Sequence, residues 1–325
     1  MGILELSGRA VEDFRGDVPL LAAMMRASWG EGPRPPYLYT PELMESWLCQ
    51  PGLTAALAPA IYDDDRLVAF ALGCPRDVAI GARRRRLVIV AFLTVAAERK
   101  SAGYGMLVWA GLIRRAREAG FDGVVNYCED GGPMRRMIET ASQMLQLPLS
   151  RAKTFDHLVR LIEPRQGGGK GADAMSAAGA AQRLLAAADG LGAGADVRRI
   201  WTLEQASWQL ARPGAVSVVG ESGAILTGTV ATVADAARSR CLTIDDILWA
   251  GLDPARRPAL VEDLLAQGAA LGARFASAPM LEYADLDPLR RAGFVAAGHV
   301  FHAYLSLWDE PSAAGPCERF YLDLV

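Results

Sequence analysis

One order of elements occurs twice in this chain, on either side of a segment unlike both copies. That segment, "EPRQGGGKGADAMSAAGAAQ" (163–182), is rich in Gly, Ala and Ser and lacks aromatics. It reads as a flexible linker with a short helix, "AQRLLAAADGLG", behind it. Before it, β-branched runs "LAPAIYDD", "RLVAFALGCP" and "RLVIVAFLTV" lead into a helical pattern over 103–119. A strand "DGVVNYCE", a helix "PMRRMIETASQMLQ" and a last strand "FDHLVRLI" follow. After it, "AVSVVGES", "ILTGTVATV" and "CLTIDDILWAGL" lead into a helix "RPALVEDLLAQGAALG". Then come "FASAPML", a short helix "DPLRRAGF" and a last strand "GHVFHAYLSLW". Such an order, repeated at a period of about 150 residues, predicts an internal duplication and not a solenoid. Each copy is expected to form an α/β (α+β) domain, a mixed, mostly antiparallel sheet flanked by helices. The expected division is 1–162, a linker over 163–195, and 196–325.

Several classes are disfavoured by composition. With 34 Lys+Arg against 37 Asp+Glu, the net charge is −3. That speaks against nucleic acid as a partner, because phosphate backbones call for a basic face. The "RRRR" run at 83–86 is expected to be a solvated hairpin tip. Five widely spaced cysteines, Cys49, Cys74, Cys128, Cys241 and Cys317, without C-x-x-C, predict neither a disulfide framework nor a zinc site. A reducing, cytoplasmic location fits. The start "MGILELSGRAVEDF" lacks the basic and apolar regions of a signal peptide, and no apolar run reaches membrane-spanning length, so no membrane partner is expected. A homodimer stays open.

Chemistry concentrates at the joint between strand and helix in the first copy, "VAAERKSAGYGMLVWAGL" (95–112). The first amides of a helix lack intrahelical partners and sit at the positive end of its dipole, and glycines let a ligand approach the backbone. Arg99 and Lys100 add positive charge. Such a turn is an anion site, suited to phosphate. A dinucleotide reading begins a G-x-G-x-x-G at Gly103-Tyr104-Gly105. It meets Val108 where the third glycine belongs, and several strands precede it. Glycines that merely start a helix are the plain structural reading. The "GGGK" of the linker lacks both a preceding strand and the Ser or Thr of a phosphate loop.

The stretch resembles the acyl-CoA pyrophosphate loop of the GNAT acetyltransferase superfamily, V-x-P-x-x-[RQ]-G-x-G-x-[GA]. Val95, Lys100, Gly103 and Gly105 fill its positions, while Ala97 and Ser101 replace the proline and the first glycine. The element order over most of 1–162 is similar too. The resemblance implies an N-acyltransferase that moves an acetyl or other short acyl group from acyl-CoA to a small-molecule amine, without a metal. It implies that amides from Ser101, Ala102, Gly103, Tyr104, Gly105 and Met106 hold the pyrophosphate, with Lys100 and Arg99 as counter-charges. Leu93, Thr94 and Val95, with Asn126 on the facing strand, would border the pantetheine arm. A backbone N–H near Leu93 would polarise the thioester carbonyl.

The family's general acid, a tyrosine four residues before a "G-F" pair, aligns with Met144. Tyr127 is therefore the expected substitute acid and Glu129 the expected base, at the end of "DGVVNYCE" and on one face by strand alternation. Cys128, on the other face, reads as a small buried apolar residue. Glu31, Tyr37 and Tyr39, in the loop between the first two helices, are expected to line the acceptor pocket. In the second copy Leu252, Pro254 and Arg257 keep the pattern. Pro258, Leu260 and Glu262 then replace the small residues, which removes an amide, blocks backbone approach and adds a negative charge. That copy is expected to be degenerate. His299 and His302 of "HVFH" are expected on opposite faces of a strand, and His157 as an ordinary strand histidine. The missing tyrosine keeps a second class open: a non-catalytic acyl-CoA-binding regulatory or scaffold protein.

Overall fold

The structure is a computed structural model. It describes residues 10–29, 37–100, 102–163, 176–191, 195–235, 237–309 and 316–324. The first copy contributes β1 (Glu12–Asp13), α1 (Val18–Trp29), α2 (Pro41–Leu48), β2 (Pro59–Asp63), β3 (Arg66–Ile80), β4 (Arg83–Val95), α3 (Tyr104–Glu118), β5 (Gly123–Glu129), α4 (Pro133–Met144), β6 (Ser150–Phe155) and β7 (His157–Leu161). The second contributes α5 (Ala177–Asp189), β8 (Val197–Ile200), α6 (Leu203–Ala211), β9 (Ala215–Val219), β10 (Ile225–Thr232), β11 (Arg240–Leu248) and α7 (Arg257–Ala270). It closes with β12 (Ala273–Pro279), α8 (Asp287–Arg291), β13 (Val295–Ala296), β14 (Phe301–Leu307) and β15 (Phe320–Tyr321).

Local chemistry explains the helix starts. Thr40 caps α2, its Oγ1 accepting from the Leu43 N–H at 3.3 Å, with Pro41 in the first turn where no amide is needed. Ser176 caps α5 in the same way, as Thr202 does α6. The strand β8 and helix α6 are absent from the pattern read in the sequence, because "VRRI" and "LEQASWQLA" are too short to establish a period. Helix α3 shows its period clearly and buries Leu107, Val108, Trp109, Leu112 and Ile113 against one face of the first sheet.

Among the described residues two sheets form, one of nine strands and one of six. The first runs β1-β2-β3-β4-β5-β14-β6, with β8 joined to β3 and β15 to β8. The second runs β13-β7-β12-β11-β10-β9. Sheet membership therefore does not follow the division at 162 and 196: the first copy sends β7 into the second sheet, and the second copy sends β8, β14 and β15 into the first. The expected single strand "FDHLVRLI" is broken at Asp156. Before it, β6 pairs with β14; after it, β7 pairs with β12 and β13. The expected last strand of the second copy, β14, lies between β5 and β6 of the first sheet. Gly123 makes this contact possible, since a Cβ there would sit 2.3 Å from the Ser306 carbonyl oxygen.

Asp156 ties the two crossing chains together. Its carboxylate accepts from the N–H groups of His157 at 2.6 Å, Gly298 at 2.9 Å and His299 at 2.9 Å. Burial works against its charge, yet the donors from His299, His157 and Gly298 draw the carboxyl below its ordinary range. His157 packs its ring edge-on to Phe301. His302 is buried, with Thr154 at 2.9 Å on Nδ1 and Asp130 at 3.2 Å on Nε2.

A second tie lies beneath the last residues. The Asp323 carboxylate bridges Arg76 of β3 (2.7 Å) and Arg199 of β8 (3.0 Å), all three nearly buried. Beside it, Asp246 accepts from Thr227 at 2.6 Å, Tyr321 at 2.8 Å and Gln209 at 3.0 Å. The "RRRR" run does open the second arm of the β3–β4 hairpin, but it is not uniformly solvated. Arg85 is buried against Asp309 (2.8 Å), and Arg86 lies over the Phe121 ring. All five cysteines are free. Among the described residues no helix is long and apolar enough to cross a membrane.

Candidate functional site

Strands β4 and β5 run parallel only from Leu87↔Gly123 to Val90↔Asn126. Beyond that rung they part. The cause is a bulge in β4: its register against β3 shifts between Phe70 and Leu72, and Phe92 takes a left-handed backbone at φ 51°. A non-glycine residue there is strained, so the neighbours that hold it matter. The Phe92 carbonyl accepts from Thr94 Oγ1 at 3.0 Å, and its ring packs on Trp47 (5.5 Å) and Tyr39 (6.1 Å). Trp29 Nε1 donates to Thr94 Oγ1, and Ser28 Oγ to the Val95 carbonyl, both at 2.8 Å. Leu93 and Val95 border the opening half-buried, whereas Thr94 is buried.

The turn into α3 follows. Gly103, at φ 75°, stands at the N-cap and provides no side-chain cap. The amides of Tyr104, Gly105 and Met106 thus begin the helix without intrahelical partners. A Cβ at Gly103 would meet nothing within 4 Å, so the approach to this turn is open. Ala102 is exposed, and Tyr104 is buried. Ser101 lies outside the described residues.

The two cations are less free than the sequence suggests. Arg99 pairs with Asp63 at 2.8 Å, and Lys100 Nζ donates to the Ser28 carbonyl at 2.9 Å. The partner of Lys100 is a neutral carbonyl, whereas that of Arg99 is a carboxylate, so Arg99 already has a counter-charge beside it.

Three expected residues are relocated. Asn126 is fully buried on the α3 side of β5, where its Oδ1 accepts from Trp109 Nε1 at 2.8 Å; its Nδ2 has no partner among the described residues. Tyr127 faces the opposite side. Its hydroxyl donates to the Leu322 carbonyl at 3.5 Å, and burial, with Asp323 nearby, pushes the phenol well above its ordinary value. The base expected at Glu129 is not found with it, because β5 carries Glu129 past the last residue turned inward, to an exposed end. Cys128 is buried, and burial pushes its thiol up to about 12, so it remains an unreactive thiol. Met144, at the tyrosine position of the resemblance, is exposed.

A cleft opens on the Phe92 side of the sheet, between the two copies. Tyr37, Tyr39, Trp47 and Phe92 line it from the first copy, and Arg212, Thr229, Thr243 and Asp245 from the second. Leu322, Asp323 and Leu324 line it as well. Tyr37 and Tyr39, expected at an acceptor pocket, both line this cleft; Glu31 lies outside the described residues. Tyr37 also clasps the second copy. Its hydroxyl bonds to Thr243 Oγ1, and the next residue's N–H donates to the Thr232 carbonyl at 2.7 Å. Burial pushes the Tyr39 phenol up to about 12.

Sequence reasoning missed Asp245. Burial lifts its carboxyl to about 6, against the opposing pull of Arg212 (3.4 Å) and a bond from Thr229 Oγ1 (2.7 Å). The signal was present as two adjacent aspartates in the otherwise apolar strand "CLTIDDIL".

The second copy repeats the parting of strands. Parallel pairing of β11 and β12 ends at Thr243↔Ser277, while β11 continues to Leu248. The turn that follows has its cations neutralised. Arg256 pairs with Glu221 and Arg257 with Asp285, and Glu262 is held by Arg160.

No protein-family profile matches the chain, and no curated protein matches it. Solved structures do. One crystal structure of Saccharomyces cerevisiae N-myristoyltransferase with bound myristoyl-CoA aligns at a TM-score of 0.73 and 14% identity, covering 95% of this chain and 84% of that one. Another, with myristoyl-CoA and inhibitors, gives 0.72 and 12%, over 95% and 81%. A GCN5-related N-acetyltransferase from Kribbella flavida gives 0.57 and 16%, over 94% and 72%. The fold is therefore a tandem GNAT-like one: mixed α/β, with two mostly antiparallel sheets flanked by helices.

Proposed function

We propose that this tandem GNAT-like chain is an acyl-CoA-dependent N-acyltransferase. The observation that carries the reading is one alignment. The opening between β4 and β5 has the uncapped start of α3 at its mouth and the cleft between the copies on its far side. A linear cosubstrate with an anionic head fits such a passage. Its pyrophosphate would rest on the amides of 103–106, with Lys100 and Arg99 beside it; the Ala102 N–H is taken by the Arg99 carbonyl at 3.0 Å. Its pantetheine arm would pass Leu93, Thr94 and Val95. The bulge at Phe92 turns backbone out of the β ladder, which frees the Leu93 N–H to receive the thioester oxygen as charge develops.

The reaction is attack of a free-base amine on the thioester carbon. A C–N bond forms, the C–S bond breaks, and the nitrogen gives up one proton to solvent. The leaving thiolate takes a proton from the Tyr127 phenol, which burial keeps fully protonated at neutral pH, and the phenolate then recovers a proton from solvent. Glu129 is assigned no step. The acceptor is a small-molecule amine in the cleft, and the acyl group is acetyl or another short chain. The similar N-myristoyltransferase structures carry myristoyl-CoA, so chain length is a variable of the test.

That test is product formation, read by mass spectrometry, with acetyl-, octanoyl- and myristoyl-CoA against a panel of amines. Beside it, CoA binding is read by calorimetry. Tyr127→Phe should lower kcat by about a hundredfold or more with CoA affinity unchanged. Tight CoA binding with no product on a broad panel would make the chain a binding module, a reading favoured by the exposed Met144 at the tyrosine position.

A further inference from the structure

The cleft between the copies is mostly apolar, walled by Tyr39, Trp47, Phe92, Leu281 and Leu322. Among its described lining residues the charged ones are Arg212, Asp245 and Asp323. Asp323 is fully committed, with Arg76 and Arg199 on both its oxygens. Its neighbour in the network, Asp246, is saturated by Thr227, Tyr321 and Gln209. Asp245 differs. Both of its hydrogen bonds, from Thr229 Oγ1 and Arg212 Nη2, fall on Oδ2. Its Oδ1 takes none from the described residues, although the side chain is only 16% exposed.

A carboxylate oxygen left open in an apolar cleft is costly unless something cationic occupies it. Arg212 does not fill that role. Its guanidinium is drawn the other way, over the rings of Trp47 (4.8 Å) and Trp208 (5.0 Å), and its contact with the carboxylate is long. It holds one oxygen and leaves the second turned away.

Taking the acyl-transfer reading as its premise, we propose that Asp245 is a specificity-determining residue. It binds the acceptor as its ammonium through Oδ1, and the amine gives that proton to solvent before it attacks as the free base, so the cleft selects primary amines on an apolar, alkyl or aromatic body. Aromatic walls favour such a body by burial and stacking, and a charged hydrogen bond in a dry site discriminates strongly against neutral analogues. The groups facing Asp245 are Arg212 after α6, Thr229 of β10, Asp246 and Asp323, with the Tyr37 and Tyr283 phenols. Arg212 and Thr229 favour its ionised form, while burial and the two carboxylates oppose it. Ammonium binding therefore weakens as pH falls through about 6.

The experiment titrates phenethylamine, and separately its neutral analogue phenethyl alcohol, into the CoA-loaded full chain. Phenethylamine should bind at least tenfold tighter than the alcohol at neutral pH. Asp245→Asn should weaken the amine at least tenfold and leave the alcohol and CoA unchanged; Asp245→Glu should restore part of the loss. A thermal melt checks that both variants fold. Equal affinity for amine and alcohol, or an Asn variant that binds the amine as well as the parent, overturns the proposal. Because the readout is binding, a chain that binds phenethylamine through Asp245 yet forms no product defeats only the acyl-transfer reading. One that acylates amines with an unchanged KM in Asp245→Asn defeats only this inference.

Discussion

The two copies open their sheets in the same way and put opposite chemistry into the gap. In the first, β4 and β5 separate after Val90↔Asn126. The turn beyond carries Lys100, hydrogen-bonded to a neutral carbonyl, and an N-cap glycine that leaves three amides exposed to a ligand. In the second, β11 and β12 separate after Thr243↔Ser277. The turn beyond holds Arg256 and Arg257 in ion pairs and places Pro258 in the first helical turn. The second gap instead presents Asp245 to the cleft. Backbone geometry alone thus does not make an anion site. On the proposed reading the uncommitted donors of the first turn do, and the same parting of strands without them becomes one wall of a different pocket.

The comparison depends on the two openings being held face to face, and the largest expected effect concerns what holds them. Replacing Asp323 by Ala leaves Arg76 and Arg199 buried without a counter-charge, so stability should fall by about 3–5 kcal/mol in urea unfolding. Burial opposes its charge, but Arg199 and Arg76 outweigh that and hold the carboxyl far below its ordinary range. Its folded value lies below its unfolded one. Its contribution is therefore present at neutral pH and is lost only in acid well below about pH 4. A small loss would mean that the copies pack independently.

Paired glycine substitutions sharpen the contrast most directly. Gly103 (φ 75°) and Gly251 (φ 79°) both need the left-handed region, so a leucine at either should cost about 1–2 kcal/mol in the melt. Only Gly103→Leu should also weaken CoA binding, by about tenfold or more in calorimetry. Equal losses of CoA affinity would place the cosubstrate elsewhere. A milder version compares Lys100→Ala, expected to cost about 1 kcal/mol of CoA affinity and to lessen its salt dependence, with Arg257→Ala, expected to cost none.

The smallest effect is on Asp245. Its folded carboxyl, lifted mainly by burial to about 6, lies above its unfolded value. The fold thus binds more protons than the unfolded chain between the two, and stability falls as pH rises through that window. Asp245→Asn should raise the thermal midpoint by a few degrees at about pH 8 and by less at about pH 5. A lower midpoint at pH 8 would show the carboxylate to be a net structural asset and weaken its contrast with Asp323.

Legibility in the sequence followed the range of the interactions. Strand and helix periods, the Thr40 cap, the loop from Val95 to Gly105 and its decay in the second copy all rest on neighbours within a few residues, and they could be read directly. Loop composition singled out Tyr37 and Tyr39, which line the cleft. Strand alternation gave Glu129 a face but not its exposed place at the end of the strand. Arg99 looked free because Asp63, its partner, is distant in sequence.

What the chain determined by itself is local: one order of elements twice, with a glycine-rich start to the long helix in the first copy and none in the second. The tertiary structure alone decided how they combine. The exchange of β7 and β14 at Asp156 is invisible to a period of two, because a strand reads the same in either sheet. The cleft and its open carboxylate oxygen arise where Tyr37, Phe92, Arg212, Asp245 and Leu322 converge from segments far apart in the chain. Hydrogen-bond saturation, which separates Asp245 from Asp246 and Asp323, is a property of those converging partners and not of the residue type.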